Sequence, residues 1–289
     1  MSLIKGLLSG IGYIVNTIFW VIPIVFLAIL KLVPIASWQK LLSYLLDGCA
    51  GCWVKVNSFN QNVFSQTHFE LTQTPPLSTS QWYMVISNHQ SWVDILVLQR
   101  LLHGKVPFLK FFLKQQLIYV PIIGLAWWAL DFPFMKRYSR DFLAKNPHLK
   151  GRDVAATQAS CDKFKLKPVS VMNFVEGTRF TQSKWQKQQS PHPDLLKAKA
   201  GGLAFALNAM SGTLDHLVDV TIVYPDGIPS FWQFISGQVK RVKVDISVEA
   251  IDDELVGDHE NDAEFKTSFQ QWVNQRWCDK QVLIKQMRQ

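Results

Sequence analysis

Charge is scarce in this 289-residue chain: Asp, Glu, Lys and Arg make up 18% of it, against 48% hydrophobic residues. A soluble domain normally carries about a quarter charged residues, so the deficit points to contact with lipid. Acidic residues are absent from the N-terminal region altogether, the first being Asp47. Cysteines number four, and only Cys49 and Cys52 have metal or redox spacing. There is no second CxxC to complete a zinc site and no βαβ pattern around this one, so the pair reads as small residues on a helix packing face. No G-x-S-x-G elbow occurs, which leaves the chain without that signature of an enzyme-borne serine nucleophile. Internal repeats are missing too.

Residues 6 to 30 contain no Asp, Glu, Lys, Arg or His. As a helix rising about 1.5 Å per residue, such a run reaches across a bilayer core. It is too long for the core of a signal peptide and no A-x-A cleavage site follows, so it is expected to stay on the chain. Pro23 interrupts the run and Pro34 follows it. Two layouts therefore remain open, a single kinked span or a helical hairpin that dips in and returns. Trp20 and Trp38 are candidate interfacial anchors, and Lys31, Lys40 and Lys55 outweigh Lys5. That bias predicts a cytoplasmic body behind the anchor. The expected division is a membrane-anchoring helical segment over residues 1–56 and an α/β domain over 57–289. The formal net charge of +8 attracts phosphates of any kind, and no nucleic-acid-binding motif accompanies it, so a nucleic-acid partner is not expected.

From about residue 80 the pattern changes to short apolar runs alternating with helical spacing. Residues 82–87, 169–175, 218–224 and 239–249 read as strands, the last with a clean alternation of Val242, Val244, Ile246 and Val248 against charged neighbours. Residues 91–102 and 202–210 read as helices, and 183–194 as an exposed loop. A final helix carries Phe265, Phe269, Trp272 and Trp277, with Asn261 and Glu264 spaced for a capping box. Strands alternating with helices predict an α/β fold, a central mixed sheet flanked by helices.

Three stretches carry chemistry. In Asn88-His89-Gln90-Ser91-Trp92-Val93-Asp94, His and Asp stand five apart, which inside one helix would splay them by about 140°. They meet only if His89 lies in the loop before a helix and Asp94 in its first turn, and Ser91 is a suitable N-cap for that helix. A carboxylate-held imidazole is a competent general base, able to take the proton of a substrate hydroxyl without a nucleophile on the enzyme. Taken alone, the same residues also fit an ordinary loop histidine and an acidic helix cap. In Glu176-Gly177-Thr178-Arg179, directly after a strand, Gly177 permits a tight turn and Arg179 offers a planar fork suited to phosphate, or simply a surface pair with Glu176. In residues 108–124, Lys110 and Lys114 share one face if the segment is helical, amid Phe111, Phe112 and Leu113. That suits a bilayer headgroup region, a substrate phosphate, or a plain solvated face. Basic stretches at residues 135–140 and 197–202 add positive charge, the second before a helix whose N–H groups suit a phosphate.

The order NHQSWVD, FLKQQLIYVPIIG, NFVEGTRF, VTIVYP resembles the four-block signature of the PlsC-type glycerolipid acyltransferases, the 1-acylglycerol-3-phosphate acyltransferase family, over roughly residues 80 to 226. The flanking DFPFMKRYSRD and KAKAGGLAFALNAM resemble its YihG-like bacterial branch and eukaryotic lysophospholipid acyltransferase relatives. The resemblance implies His89 as general base and Asp94 as its orienting partner. It places Lys114, Glu176, Gly177, Thr178 and Arg179 at the acceptor site, with Arg179 on the phosphate, and Pro225 near the acyl donor. Gln116 stands where many members carry Glu. No cofactor and no metal are implied; acyl-CoA or acyl carrier protein is the co-substrate and lysophosphatidate the acceptor. Membrane phospholipids are partners, and the expected place is the bacterial inner membrane with the catalytic domain on the cytoplasmic side. Another lysophospholipid acceptor, or an inactive lipid-binding protein, are the alternatives.

Overall fold

The computed structural model describes residues 2–135, 161–259 and 261–289. Two long helices come first, α1 (Ser2–Leu30) and α2 (Ala36–Asn60). They form a hairpin: the chain turns through residues 31–35 and α2 runs back along α1. Buried polar side chains between the two explain the pairing, since each needs a partner away from water. Asn16 Nδ2 donates to Asn57 Oδ1 at 2.8 Å, Asn60 Nδ2 to the Ser9 carbonyl at 2.9 Å, and Gln61 Nε2 to the Tyr13 hydroxyl at 3.0 Å. Among the described residues, α1 is the one helix long and apolar enough to cross a membrane. The Cys49–Cys52 pair lies on α2 with free thiols, beside the buried Ala50 and Gly51. A Cβ on Gly51 would stand 3.0 Å from the His103 ring.

The sheet contains β1 (His68–Leu71), β2 (Tyr83–Ser87), β3 (Leu109–Phe111), β6 (Ser170–Phe174), β7 (His216–Val223) and β8 (Arg241–Ala250) in the order β1-β8-β7-β2-β6-β3. It is mixed: β7 and β8 are antiparallel and the other neighbours parallel. A separate two-stranded ribbon pairs β4 (Leu113–Lys114) with β5 (Phe134–Met135). Every residue of β2 is buried because both faces of the sheet are covered, which is why it reads as a continuous apolar run. Tyr83 and Val85 face one core with α1, α2 and α3 (Val93–Leu102); Met84 and Ile86 face the other, with α6 (Ala200–Ala209) and α8 (Ala263–Arg288). Short helices α4 (Ile123–Ala129), α5 (Gln182–Gln188) and α7 (Phe231–Ile235) lie between these elements. On α8, Phe269, Val273, Trp277, Ile284 and Met287 form the buried stripe.

The hairpin shares the first core with the sheet, through Tyr13, Ile24, Ala28, Leu46 and Ala50. Ion pairs tie it down as well. Lys31, in the turn, pairs with Asp131, and Asp47 of α2 pairs with Lys167 and, at 3.8 Å, with Lys110.

Several local expectations are corrected. Residues 109–114 form β3 and β4, so Lys110 and Lys114 share no helix face: Lys110 is buried, donating to the Leu130 carbonyl at 2.7 Å, whereas Lys114 is exposed. The polar stretch 183–194 begins with α5, capped by Thr181, whose side chain accepts from Lys184 N. The cap of α8 is Asp262, which takes the N–H groups of Glu264 and Phe265, in place of an Asn261–Glu264 box. Of the basic stretch at residues 135–140, Lys136, Arg137 and Arg140 lie outside the described residues.

Candidate active site

Sheet order explains how motifs far apart in the chain meet. Strands β6, β2 and β7 are adjacent and parallel, so their C-terminal ends lie along one edge. His89 follows β2, Glu176–Arg179 follows β6, and Tyr224 follows β7. Ligands of open α/β sheets bind outside such strand ends. Asn88 closes the edge: its side chain donates to the Ile222 carbonyl and accepts from the Ile222 N–H, both at 2.9 Å, adding a rung where β2 has ended.

His89 sits in the loop and Asp94 in the first turn of α3, and His89 Nδ1 lies 2.9 Å from Asp94 Oδ2. The capping differs from expectation. Helix α3 starts at Val93, and the Asp94 carboxylate reaches back to the loop, accepting from Gln90 N at 2.6 Å and Ser91 N at 2.8 Å on Oδ2. The Tyr224 hydroxyl donates to Oδ1 at 2.6 Å. Four donors thus converge on a fully buried carboxylate. Burial together with the Asp94 charge pushes the Tyr224 hydroxyl well above its ordinary range, so it stays a donor. With Nδ1–H committed to Asp94, Nε2 is the nitrogen left to accept a proton. The ring itself stacks on Phe174, centroids 3.7 Å apart and 11° from parallel.

Glu176 is buried with both carboxylate oxygens occupied. Oε1 accepts from His89 N at 2.8 Å and Oε2 from Leu196 N at 2.9 Å. Its side chain clamps the His89 loop to the chain before α6. Burial pushes its carboxyl up to about 8, with the two N–H donors pulling the other way. Gly177 adopts φ +69°, a region where side-chain-bearing residues are strained, and its N–H closes the turn onto the Phe174 carbonyl at 2.8 Å. Lys184 Nζ fixes the turn from α5, donating to Thr178 Oγ1 at 2.8 Å and the Arg179 carbonyl at 2.9 Å. Phe180 N donates to the His89 carbonyl at 2.7 Å, so the two motifs touch directly. The Arg179 guanidinium lies over the Trp92 ring, 4.3 Å from its centroid, and makes no pair with Glu176. Lys114 lies outside this cluster, on the exposed side of β4.

One wall of His89 faces an apolar cavity of about 230 Å³ between the hairpin and the sheet. Trp20 and Ile24 of α1, Trp53 of α2, Phe111 of β3, Trp127 of α4 and Phe174 of β6 line it, and among the described residues His89 is the one titratable group in its lining. An imidazole at the wall of an apolar cavity is suited to a substrate with an aliphatic tail. Sequence reasoning missed Asn88, Phe174 and Tyr224. Their common signal was position, each at the C-terminal end of an apolar strand.

Comparison with known families settles the class. The acyltransferase family model matches residues 68–225. The chain belongs to the acyltransferase family. The matched span includes both motifs, Tyr224 and β2, β3, β6 and β7. Among curated proteins, the chain is 25% identical to 1-acyl-sn-glycerol-3-phosphate acyltransferase 3 of Arabidopsis thaliana, over 60% of this chain and 46% of that one. It is also 25% identical to 2-acyl-1-lysophosphatidylinositol acyltransferase of Saccharomyces cerevisiae, over 84% of this chain and 71% of that one. The chain therefore spans about half the length of the plant relative. Among solved structures, the 1-acyl-sn-glycerophosphate acyltransferase PlsC of Thermotoga maritima is similar, with 18% identity, 95% of each chain covered and a TM-score of 0.49.

Proposed function

We propose that this acyltransferase moves a fatty acyl group from acyl-CoA or acyl carrier protein to the sn-2 hydroxyl of lysophosphatidate, with His89 as general base. The observation that carries the reading is the carboxylate-held imidazole at the wall of an apolar cavity. His89 Nε2 takes the acceptor's hydroxyl proton as the oxygen attacks the thioester carbonyl carbon. The carbon–sulfur bond then breaks, and the thiolate recovers the proton from the imidazolium. Asp94 stabilises the imidazolium between these steps. The step calls for no metal or cofactor. The acyl chain lies in the cavity, and the Arg179 guanidinium, turned to no carboxylate, takes the acceptor phosphate.

Residues 1–56 serve as the membrane-docking unit of the domain 57–289. Leu7, Ile11, Ile18, Phe19, Ile22 and Phe26 leave a large apolar surface on α1 exposed, and Tyr119 and Val120 add to the exposed apolar surface beyond β4. Trp20 and Ile24 of the same helix line the cavity, so a lipid substrate passes from membrane to site along one element. Within the hairpin Lys55 returns to the end of α1 that carries Lys5, so the lysine bias does not choose a side, and it is the exposed apolar surface of α1 that supports docking at a membrane, here read as the cytoplasmic face of a bacterial inner membrane.

A second acceptor is favoured by one observation. The yeast relative, whose name specifies lysophosphatidylinositol, aligns over more of this chain than the plant one. Purified protein offered an acyl thioester should release free thiol with lysophosphatidate, lysophosphatidylinositol, lysophosphatidylglycerol or glycerol 3-phosphate, and the panel ranks them. His89→Ala should abolish release on every acceptor. Turnover in that variant at the wild-type rate would remove His89 from the mechanism, and no turnover on any acceptor would favour a lipid-binding protein.

A further inference from the structure

Each other arginine side chain described is committed to an oxygen. Arg100 donates to Gln61 and Asn62, Arg241 pairs with Asp226, Arg276 with Glu249, and Arg288 with Asp194. Arg179 differs. Among the described residues its guanidinium meets no carboxylate and no carbonyl, and its one recorded partner is the face of Trp92, 4.3 Å away. A cation over an aromatic face needs no hydrogen-bond acceptor there, so the N–H donors of Arg179 remain unspent. Trp92 is equally unusual. It stands between Val93, which is fully buried, and the catalytic loop, yet its own side chain is 52% exposed. An indole left that open does little for the core; what it covers is Arg179. The two come from different strands' ends, Trp92 from the connection after β2 and Arg179 from the turn after β6.

We propose that Trp92 is the positioning residue for Arg179, an aromatic plate that holds the guanidinium with its donor edge toward the anionic head of the acceptor. The proposal rests on the reading that Arg179 meets the acceptor phosphate. The turn's main chain is already fixed by Gly177 and Lys184, so what remains to be set is the long side chain. An arginine free to sample its rotamers loses that freedom on binding, whereas a stacked one has largely lost it beforehand.

The test is steady-state kinetics of the full chain with lysophosphatidate in mixed micelles, for Trp92→Ala, Trp92→Phe and Trp92→Leu in wild-type and Arg179→Ala backgrounds. A cation–aromatic contact at a half-exposed site is worth about a three- to tenfold effect. Trp92→Ala should raise KM by that factor with kcat within twofold of wild type. Trp92→Phe, which keeps an aromatic face, should recover most of the loss, and Trp92→Leu, apolar but without that face, should not. In Arg179→Ala, truncating Trp92 should change KM no further. Equal behaviour of the Phe and Leu variants, a loss carried by kcat alone, or additive effects in the double variant would overturn the assignment of Trp92 while leaving that of Arg179 in place. Arg179→Ala with unchanged KM would overturn both. Binding to anionic vesicles should be the same in wild type and Trp92→Ala; weaker binding by the variant that accounts for its KM would make Trp92 a lipid anchor instead.

Discussion

Asp94→Asn separates what the carboxylate does by shape from what it does by charge. Asparagine can set its carbonyl oxygen where Oδ2 stands, keeping the bonds from His89, Gln90 N and Ser91 N. Its amide nitrogen then faces the Tyr224 hydroxyl, which can rotate from donor to acceptor. The fold should therefore survive, with a loss of about 1–3 kcal/mol from weakening charge-assisted bonds at a buried site. The charge is another matter. A 2.9 Å contact between ring nitrogen and carboxylate oxygen sets the charge centres about 4 Å apart, worth about 4 kcal/mol at an effective dielectric near 20. Losing that support for the imidazolium should lower kcat about a thousandfold. Thiol release under saturating donor and acceptor reads the rate, and thermal unfolding confirms that the variant is folded. A folded Asp94→Asn protein that keeps kcat within tenfold of wild type would refute the reasoning, since the carboxylate would then be a loop cap and nothing more.

Two further outcomes follow from groups the reaction does not consume. The Glu176 carboxyl, pushed up to about 8 by burial, would ionise near about 4.3 in an unfolded chain; between those values the folded protein retains a proton that the unfolded chain has lost. Its contribution is thus full below the lower value and declines as pH rises toward about 8, so the wild-type melting temperature should fall from pH 5 to pH 8 and Glu176→Gln should flatten that slope. Equal slopes in both proteins would show that the buried carboxyl is not the titrating group. Asp47→Asn leaves Lys110 and Lys167 buried with no counter-charge; denaturant unfolding should show a loss of about 3–5 kcal/mol, and Lys167→Met in the same chain should restore part of it. A single variant as stable as wild type would mean that the hairpin is held without those pairs.

Much of the sheet was legible because its strands are buried on both faces. An apolar run such as residues 83–87 admits few other readings, and alternation in residues 241–250 marks a strand open on one side. Residues 109–114 misled for a physical reason. Lys110 and Lys114 look like a helix face by spacing alone, and nothing local shows that Lys110 is drawn inward by Asp47 and the Leu130 carbonyl. Those partners lie 63 residues before and 20 residues after it, beyond any local window. The Ser91 cap differs in detail: α3 starts at Val93 with Trp92 at the cap position, Ser91 Oγ accepts the Val93 N–H at 3.2 Å, and Asp94 reaches back to the loop N–H groups of Gln90 and Ser91. At the site, His89 and Asp94 could be paired from one loop's geometry, whereas Tyr224 could not. Its bond to Asp94 exists only because β7 lies next to β2 in the sheet, and strand order is not a local property.

That same order accounts for the role of Glu176. Glu176, expected at the acceptor site, has both oxygens spent on main-chain N–H groups, one of them that of His89. Arg179, three positions later in a turn fixed by Gly177 and Lys184, has its donors unspent. A turn whose acidic member binds inward and whose basic member is left outward holds the two motifs together at one edge of the sheet. On the proposed roles of His89 and Arg179, the separation of imidazole and guanidinium selects an acceptor by where its hydroxyl stands relative to its anionic group, so a lysolipid carrying its phosphate one bond farther from the free hydroxyl should be a poorer substrate even though its charge and chain are unchanged.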